Sequence, residues 1–563
     1  MCIRDRHIVL MFFVSFCIVA KGQTIEPMVG ASWHQSSPFN NDCPEGAAAG
    51  CGATAVAQIL SYYKMPSHGY GEYNHNGVNY KLEDYPIDWD NILNTYTKGN
   101  YTEANSAAVA WLVYLTGLSM DMKYGKTSSP RTYASMLWGM QHYLHISPDS
   151  RYLHRHNYST SEWKAMIDKQ LEAGHPVFYR GSYIDSENKG IGHMFVIDGK
   201  NSEGLYHVNF GHADSSQDKY VDLDYINQSS GDDVYPGNKS VCYNATQAMV
   251  INCYPVSGLS ENDYELHPVI LDSPIIVNKD TLCNVFETQL GQGFSISYRV
   301  CDCSFDGGKS YIGIGAFQDN EIKFILPEST SQVTLGGGFV YDMGKNYSIP
   351  EGTASGTYEL AVIYHENGNR NWKRCWDNAQ NSMKLTVNGN TATVYPTNNF
   401  LNGELKYRSK LKEVAGNGDG HTFEIELSNV SNANYEDTLM LRFNIEGKIY
   451  EHKHIVAVYE ECKPTYRILV PESSVSLNGK TYTVEALYYN KLKKGYCALD
   501  YDNGTSIENI NATTNDNVLI YSLDGKCLWE GKAEQISKVR QTLDRGVYII
   551  KQGGHTEKIA IMK

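Results

Sequence analysis

Helical periodicity is confined to roughly the first half of this chain, and that asymmetry constrains the fold more than any other feature. Apolar residues recur at three- and four-residue spacing in 53–63, 107–115 and 133–144, which predicts helices there. Strand-like runs follow at 176–183, 193–198 and 205–210. From 260 onward the helical pattern nearly vanishes. Runs such as Phe294–Val300 and Tyr358–Tyr364 alternate polar and apolar residues between Gly, Asn and Asp turns. A mixed α+β unit followed by β-sandwiches is what such a change implies. With 563 residues, a prior of ~150 per domain gives three to four domains. The expected division is 1–22, 23–258 (α+β), 259–395 and 396–510 (two β-sandwich or Ig-like modules), and 511–563 (a small β-domain). The polar stretch Asn503–Asp516 reads as the last linker.

Composition excludes some functions. Lys+Arg 48 against Asp+Glu 63 leaves a net charge of −15, without the basic footprint of a dedicated nucleic-acid binder. Arg4 and Arg6 precede the apolar run Ile8–Ala20, which ends in Ala20-Lys21-Gly22. The run is too short to span ~30 Å of hydrocarbon, and it reads as a secretory signal ending before Gln23. No other apolar run approaches membrane-spanning length. Of 13 cysteines, Cys2 and Cys17 fall within the signal and eleven remain, an odd number that leaves at least one thiol without an intramolecular partner. Pairings of Cys301 or Cys303 with Cys283 or Cys375 stay open.

The strongest local signal is Ala49-Gly50-Cys51-Gly52-Ala53-Thr54-Ala55-Val56-Ala57-Gln58-Ile59. Val56, Ile59, Leu60 and Tyr63 lie on one helical face, and Cys51 stands where that helix begins. The positive end of the dipole and unpaired N–H groups there are expected to stabilise a thiolate. The same position would equally suit a disulfide to Cys43 or a buried structural thiol. A thiolate nucleophile needs a base. Gly190-Ile191-Gly192-His193-Met194-Phe195-Val196-Ile197-Asp198 reads as a strand, and Leu205–Phe210 as its partner. A hairpin centred on Asn201 sets His193 opposite Asn209, Phe195 opposite His207 and Ile197 opposite Leu205, close enough for Asn209 to fix the imidazole. A slip of one residue would undo this. Gln35, in Trp33–Asn40, could donate its amide to an oxyanion beside the Cys51 N–H; taken alone it is only a polar loop residue.

These motifs together resemble the streptopain family of cysteine peptidases. The resemblance covers about residues 28–255 and rests on W-x-Q-x-x-P-[YF]-N at Trp33–Asn40 and G-C-x-A-T-A-x-A-Q-I at Gly50–Ile59. Tyr63-Lys64-Met65-Pro66, Gly192-His193-x-Phe195-Val196-Ile197-Asp198-Gly199 and Tyr206–Asn209 complete it. It implies a papain-like catalytic fold, with Cys51 as nucleophile, His193 as base and acid, Asn209 as orienter and Gln35 as oxyanion donor. It also implies protein or peptide substrates, with an apolar side chain two residues before the cut. Where the family continues Trp-Gly-Trp-Gly, this chain has Phe210-Gly211-His212-Ala213. Phe210, His212 and Gly192 are therefore the residues expected to shape substrate contact. Gly52, where a larger residue is commoner, is expected to loosen the helix start. Little chain separates Gln23 from Trp33, so the family's inhibitory propeptide is not expected, and latency would fall to a separate inhibitor, the downstream domains or an upstream start.

The chain's end, Asn517–Lys526, Leu543–Lys551 and Lys558–Lys563, looks like the C-terminal sorting domain of the type IX secretion system of Bacteroidetes. That implies outer-membrane passage by the type IX machinery and a secreted or cell-surface location. No H-E-x-x-H, G-x-S-x-G or P-loop pattern is present. His154 and His156 suit a loop better than a metal site, and neither Asp214–Asp224 nor Gly416–Gly420 has the spacing of a Ca²⁺ loop. No cofactor and no metal are expected. The reading is a secreted cysteine endopeptidase working through an acyl-thioester. Its alternative is a catalytically impaired, peptidase-fold surface adhesion or binding protein, and an amidase or transferase using the same thioester is a third.

Overall fold

The computed structural model describes residues 24–502 apart from 76, 126–131, 185–188, 213–218, 227–241, 273–274, 279–284, 327–330, 367–370, 378–381, 396–402, 418–419, 432 and 491–492, and beyond them the strands at 517–522, 527–532, 546–552 and 555–561. The expected signal, the C-terminal side of the expected boundary at 395–396 and the linker Asn503–Asp516 lie outside the described residues.

The N-terminal unit is α+β. Its helices are α1 (Cys51–Tyr63), α2 (Glu103–Ser119), α3 (Tyr133–Leu144) and α4 (Thr160–Glu172). After a small hairpin, β1 (Glu72–His75) and β2 (Val78–Lys81), come β3 (Arg151–His154), β4 (Val177–Ile184), β5 (Gly190–Lys200), β6 (Tyr206–Asn209), β7 (Lys219–Val221) and β8 (Ala245–Ile251). These last six form one antiparallel sheet in the order β3-β8-β4-β5-β6-β7. Every residue of α1 from Gly52 to Leu60 is buried, so this helix is the spine of the unit rather than an amphipathic surface helix. Three of the helices fall where periodicity predicts. The fourth, α4, carries less apolar pattern but starts on a capping box, with Ser159 accepting from Glu162 N–H and Glu162 reaching back to Ser159 N–H.

Two sandwiches follow. Between 269 and 395, a sheet built on Gly293–Asp302 and Val340–Ser348 faces a larger one built on Gly308–Gln318 and Gly356–Glu366, and Ile296, Tyr298, Ile314 and Val362 share one core. Between 405 and 501, two four-stranded sheets enclose Phe423, Ile425, Leu441 and Phe443. A separate four-stranded sheet spans the strands between 517 and 561.

Both sandwiches dock on 151–160 of the N-terminal unit. From the first, Asp377 accepts from His154 N–H (2.9 Å), His154 Nδ1 (2.7 Å), Asn157 Nδ2 (2.7 Å) and Tyr158 O–H (2.9 Å). His154 ends β3 instead of lying in the expected loop, and it serves a domain junction. From the second, Tyr459 lies beneath the buried Arg155 guanidinium (4.1 Å), which donates to Leu223 O and Gln247 Oε1 and pairs with Asp224. Asn434 Nδ2 donates to His156 O and Tyr158 O, and Thr160 O–H to Glu460 O. Asp377 is fully buried at its carboxylate, so Asp377→Ala strands four donors at once. We expect it to cost ~3 kcal/mol or more and to expose the 151–160 junction to limited proteolysis; Asp377→Asn, still an acceptor, should cost less. An unchanged urea midpoint would refute the clamp.

Candidate active site

Cys51 is the first residue of α1, entered through Gly50 at φ +93°, a conformation that a side chain there would strain. The preceding loop is strapped to the helix start. Ala49 N–H donates to Gln35 O (3.0 Å) and Asn40 Nδ2 to Ala47 O (2.9 Å), while the fully buried Trp33 donates to Leu93 O. Gln35 is therefore held beside the nucleophile's helix, half-buried. Gly52 does not loosen the helix: a Cβ there would come within 2.8 Å of Met194 Sδ, so its absence lets β5 close on α1.

That closure decides the chemistry of the thiol. The backbone N–H groups of Met194 and Gly52 and the charge of Arg180 favour the thiolate, but burial is the largest influence and the Cys51 pKa is raised above the ordinary thiol value. The expected dipole-lowered thiolate is not the resting state, because helix-end stabilisation is small beside the cost of desolvating a charge. Cys51 and Cys43 are both free thiols, as are Cys301, Cys303 and Cys375. Cys283 lies outside the described residues.

His193 sits on β5 beside that backbone contact, 6% exposed. The hairpin register differs from the expected one. Lys200 pairs with Tyr206, Ile197 with Val208 and Val196 with Asn209, with a bulge at Asp198. The turn is centred two residues later than expected: Asn201 Oδ1 accepts from Glu203 N–H and Leu205 N–H, and Gly204 takes φ +84°. Asn209 is thus displaced from His193. Its Oδ1 accepts from Gln58 Nε2 (3.0 Å) and Gly211 N–H (3.1 Å), and its Nδ2 donates to Ala31 O (2.7 Å). The imidazole is fixed by the next residue instead: Nε2 lies 2.8 Å from Phe210 O. A carbonyl only accepts, so Nε2 carries the proton and Nδ1 is left with its lone pair. Asn209 then positions His193 indirectly, by pinning the backbone on both sides of that carbonyl.

Aromatic groups surround the imidazole. Tyr243, His212, Phe195 and Phe210 have ring centroids 5.2, 4.7, 5.9 and 6.4 Å away. Burial, with His212 adding repulsion, pushes the His193 pKa down to about 3. Thiol and imidazole are therefore both neutral at rest. Of the residues expected to meet substrate, Phe210 is fully buried behind the imidazole and presents no surface, because β6 carries it into the sheet's own core. Gly192 is exposed, and a Cβ there would stand 2.9 Å from the Tyr133 hydroxyl; His212 is half-buried. Ala213 lies outside the described residues.

Sequence reasoning passed over three residues that matter here. Gln58, a polar residue on the fully buried α1, had a visible signal, since such a group needs partners. Tyr243 and Arg180 had none, because only the fold brings them to the site.

The Peptidase C10 family matches residues 33–220. Streptopain of Streptococcus pyogenes is 29% identical over 252 residues, covering 40% of this chain and 61% of streptopain. The chain thus spans less than two thirds of the length of that curated relative. The thiol protease/hemagglutinin PrtT of Porphyromonas gingivalis is 24% identical over 356 residues, 61% of this chain and 38% of PrtT. The structure of the interpain A cysteine protease of Prevotella intermedia is 32% identical, covers 41% of this chain and 95% of interpain A, and superposes with a TM-score of 0.37. The likeness to the Peptidase C10 family thus lies in the N-terminal unit, over residues 33–220.

Proposed function

We propose that this protein is a secreted cysteine endopeptidase of papain-like architecture, with Cys51 as nucleophile and His193 as its base. One observation carries the reading: the Cys51 thiol meets the backbone N–H of Met194, the residue next to a histidine whose Nδ1 lone pair is left free by the Nε2–Phe210 hydrogen bond. The thiol proton moves to Nδ1 as Sγ attacks the peptide carbonyl. The Cys51 N–H and the Gln35 amide receive the oxyanion. His193 returns the proton to the departing amine, and water, deprotonated by His193, hydrolyses the acyl-thioester. Because the resting pair is neutral, proton transfer accompanies attack instead of preceding it. Export rests on the Arg4–Gly22 signal, and surface delivery by a type IX route on the three terminal sequence blocks.

A peptidyl vinyl sulfone tests the chemistry. Cys51, identified by peptide mass, should be labelled at neutral pH at least ~100-fold faster than by iodoacetamide, which gains nothing from a protonated thiol, and His193→Gln should remove that advantage. Labelling at equal rates, or unchanged without His193, would favour the adhesion or binding protein.

A further inference from the structure

Two guanidinium groups are buried in the N-terminal unit, and among the described residues only one of them has a carboxylate partner. Arg155 has Asp224. Arg180, on β4 and 9% exposed, has no carboxylate within 4 Å among the described residues. Its Nη1 reaches Tyr152 O–H at 3.3 Å, and its Nη2 reaches Ser182 Oγ at 3.4 Å and Thr246 Oγ1 at 3.2 Å, all long; its Nε is buried with no acceptor. Glu436 of the second sandwich is close by but is turned to Thr246 N–H (2.8 Å). A buried cation without a counter-ion costs stability, so a fold that keeps one here has another use for it.

Its place suggests the use. Arg180 pairs in register with Met194, Gly181 with His193 and Ser182 with Gly192, so Arg180 shares a sheet face with Met194, whose sulfur meets α1 beside Cys51. Its cover is thin. The Tyr133 ring lies 3.6 Å over the guanidinium and is itself 36% exposed, and Gly192 and Thr246 on either side are exposed. The unfilled Nε and a neighbouring Nη form the planar two-donor edge that a carboxylate accepts in bidentate fashion.

We propose that Arg180 is a specificity-determining residue, forming a subsite for an Asp or Glu side chain next to the scissile bond, where the family resemblance alone would imply an apolar one. The proposal rests on the peptidase reading above. The full chain is offered peptides carrying Glu or Gln at each of three positions on either side of the cleaved bond. At one position Glu should be preferred in kcat/KM by roughly tenfold or more. Arg180→Gln should bring that ratio to about one, and Arg180→Lys should retain part of it. No preference for Glu at any position, or a preference that survives Arg180→Gln, overturns the subsite while leaving the peptidase intact. If nothing is cleaved, fluorescence anisotropy of the same labelled Glu and Gln peptides on the Cys51→Ala chain decides: equal affinities overturn it, and tighter Glu binding that Arg180→Gln removes sustains it.

Discussion

Cys51→Ala and His193→Gln are each expected to lower kcat/KM on a peptide substrate by roughly 10⁴-fold or more, and the double variant to be no worse than either single one. In the proposed mechanism Sγ forms the acyl bond, so its loss would remove the pathway and not merely a contact. Gln at 193 can still donate to the Phe210 carbonyl now held by Nε2 (2.8 Å), which preserves the local fold while taking away the proposed base. Since the resting thiol is protonated, its pKa raised by burial, Cys51 without that base has no route to a thiolate at neutral pH. The two residues act as one unit, which is why their losses do not add. Gln35→Ala should behave differently. As an oxyanion donor strapped beside the helix by Ala49 N–H, it should cost roughly 10²–10³ in kcat with KM little changed. Steady-state hydrolysis of a quenched peptide reads all four variants. Retention of activity within tenfold in His193→Gln would remove the histidine from the mechanism.

Local signals carried much of this site, and long-range contacts carried the rest. The helix behind Cys51 was legible because small and apolar residues dominate its whole length, as its burial from Gly52 to Leu60 requires. The change to β-only structure was legible from alternation. The hairpin register was not, and the reason is specific. Asp198 turns inward to accept from Val29 N–H (2.8 Å) and His207 Nδ1 (2.6 Å), which makes the bulge that shifts β6 against β5. Val29 lies far away in sequence, so nothing near the turn announced it. Tyr243 reaches His193 for a similar reason. Gly181 has no Cβ, and one built there would stand 2.2 Å from Tyr243 O, so β4 admits this backbone over the imidazole. Asn244, next in the chain, accepts at its carbonyl from Tyr459 of the second sandwich (3.0 Å). The downstream domain therefore holds part of the wall around His193, a relation that no local pattern encodes.

Acid should destabilise the N-terminal unit well before carboxylates are protonated. Burial holds His142 down to about 4 and His193 to about 3, against 6.5 in the unfolded chain. Both folded values are depressed, so the unfolded state binds more protons below pH 6.5; stability is complete above that pH and is lost as pH falls through 6.5 toward the folded values. At pH 5 each histidine accounts for about 2 kcal/mol, and the pair for about 4, a large share of a typical domain's stability. The His142 geometry shows why protonation is resisted. Its Nδ1 donates to Trp138 O at 2.8 Å, its ring stacks on Trp138 at 4.0 Å, and its Nε2 is buried with no partner, so a proton added there has no acceptor. At His193 the added charge would face His212 and three aromatic rings. Urea unfolding at pH 7 and pH 5, followed by the fluorescence of Trp33, Trp89, Trp111, Trp138 and Trp163, measures the loss. His142→Gln and His193→Gln should each reduce the pH 7-to-5 difference by about 2 kcal/mol, whatever they do to stability at pH 7. An identical pH dependence in both variants would mean that these imidazoles become charged without opening the fold, and the neutral resting pair would have to be abandoned with it.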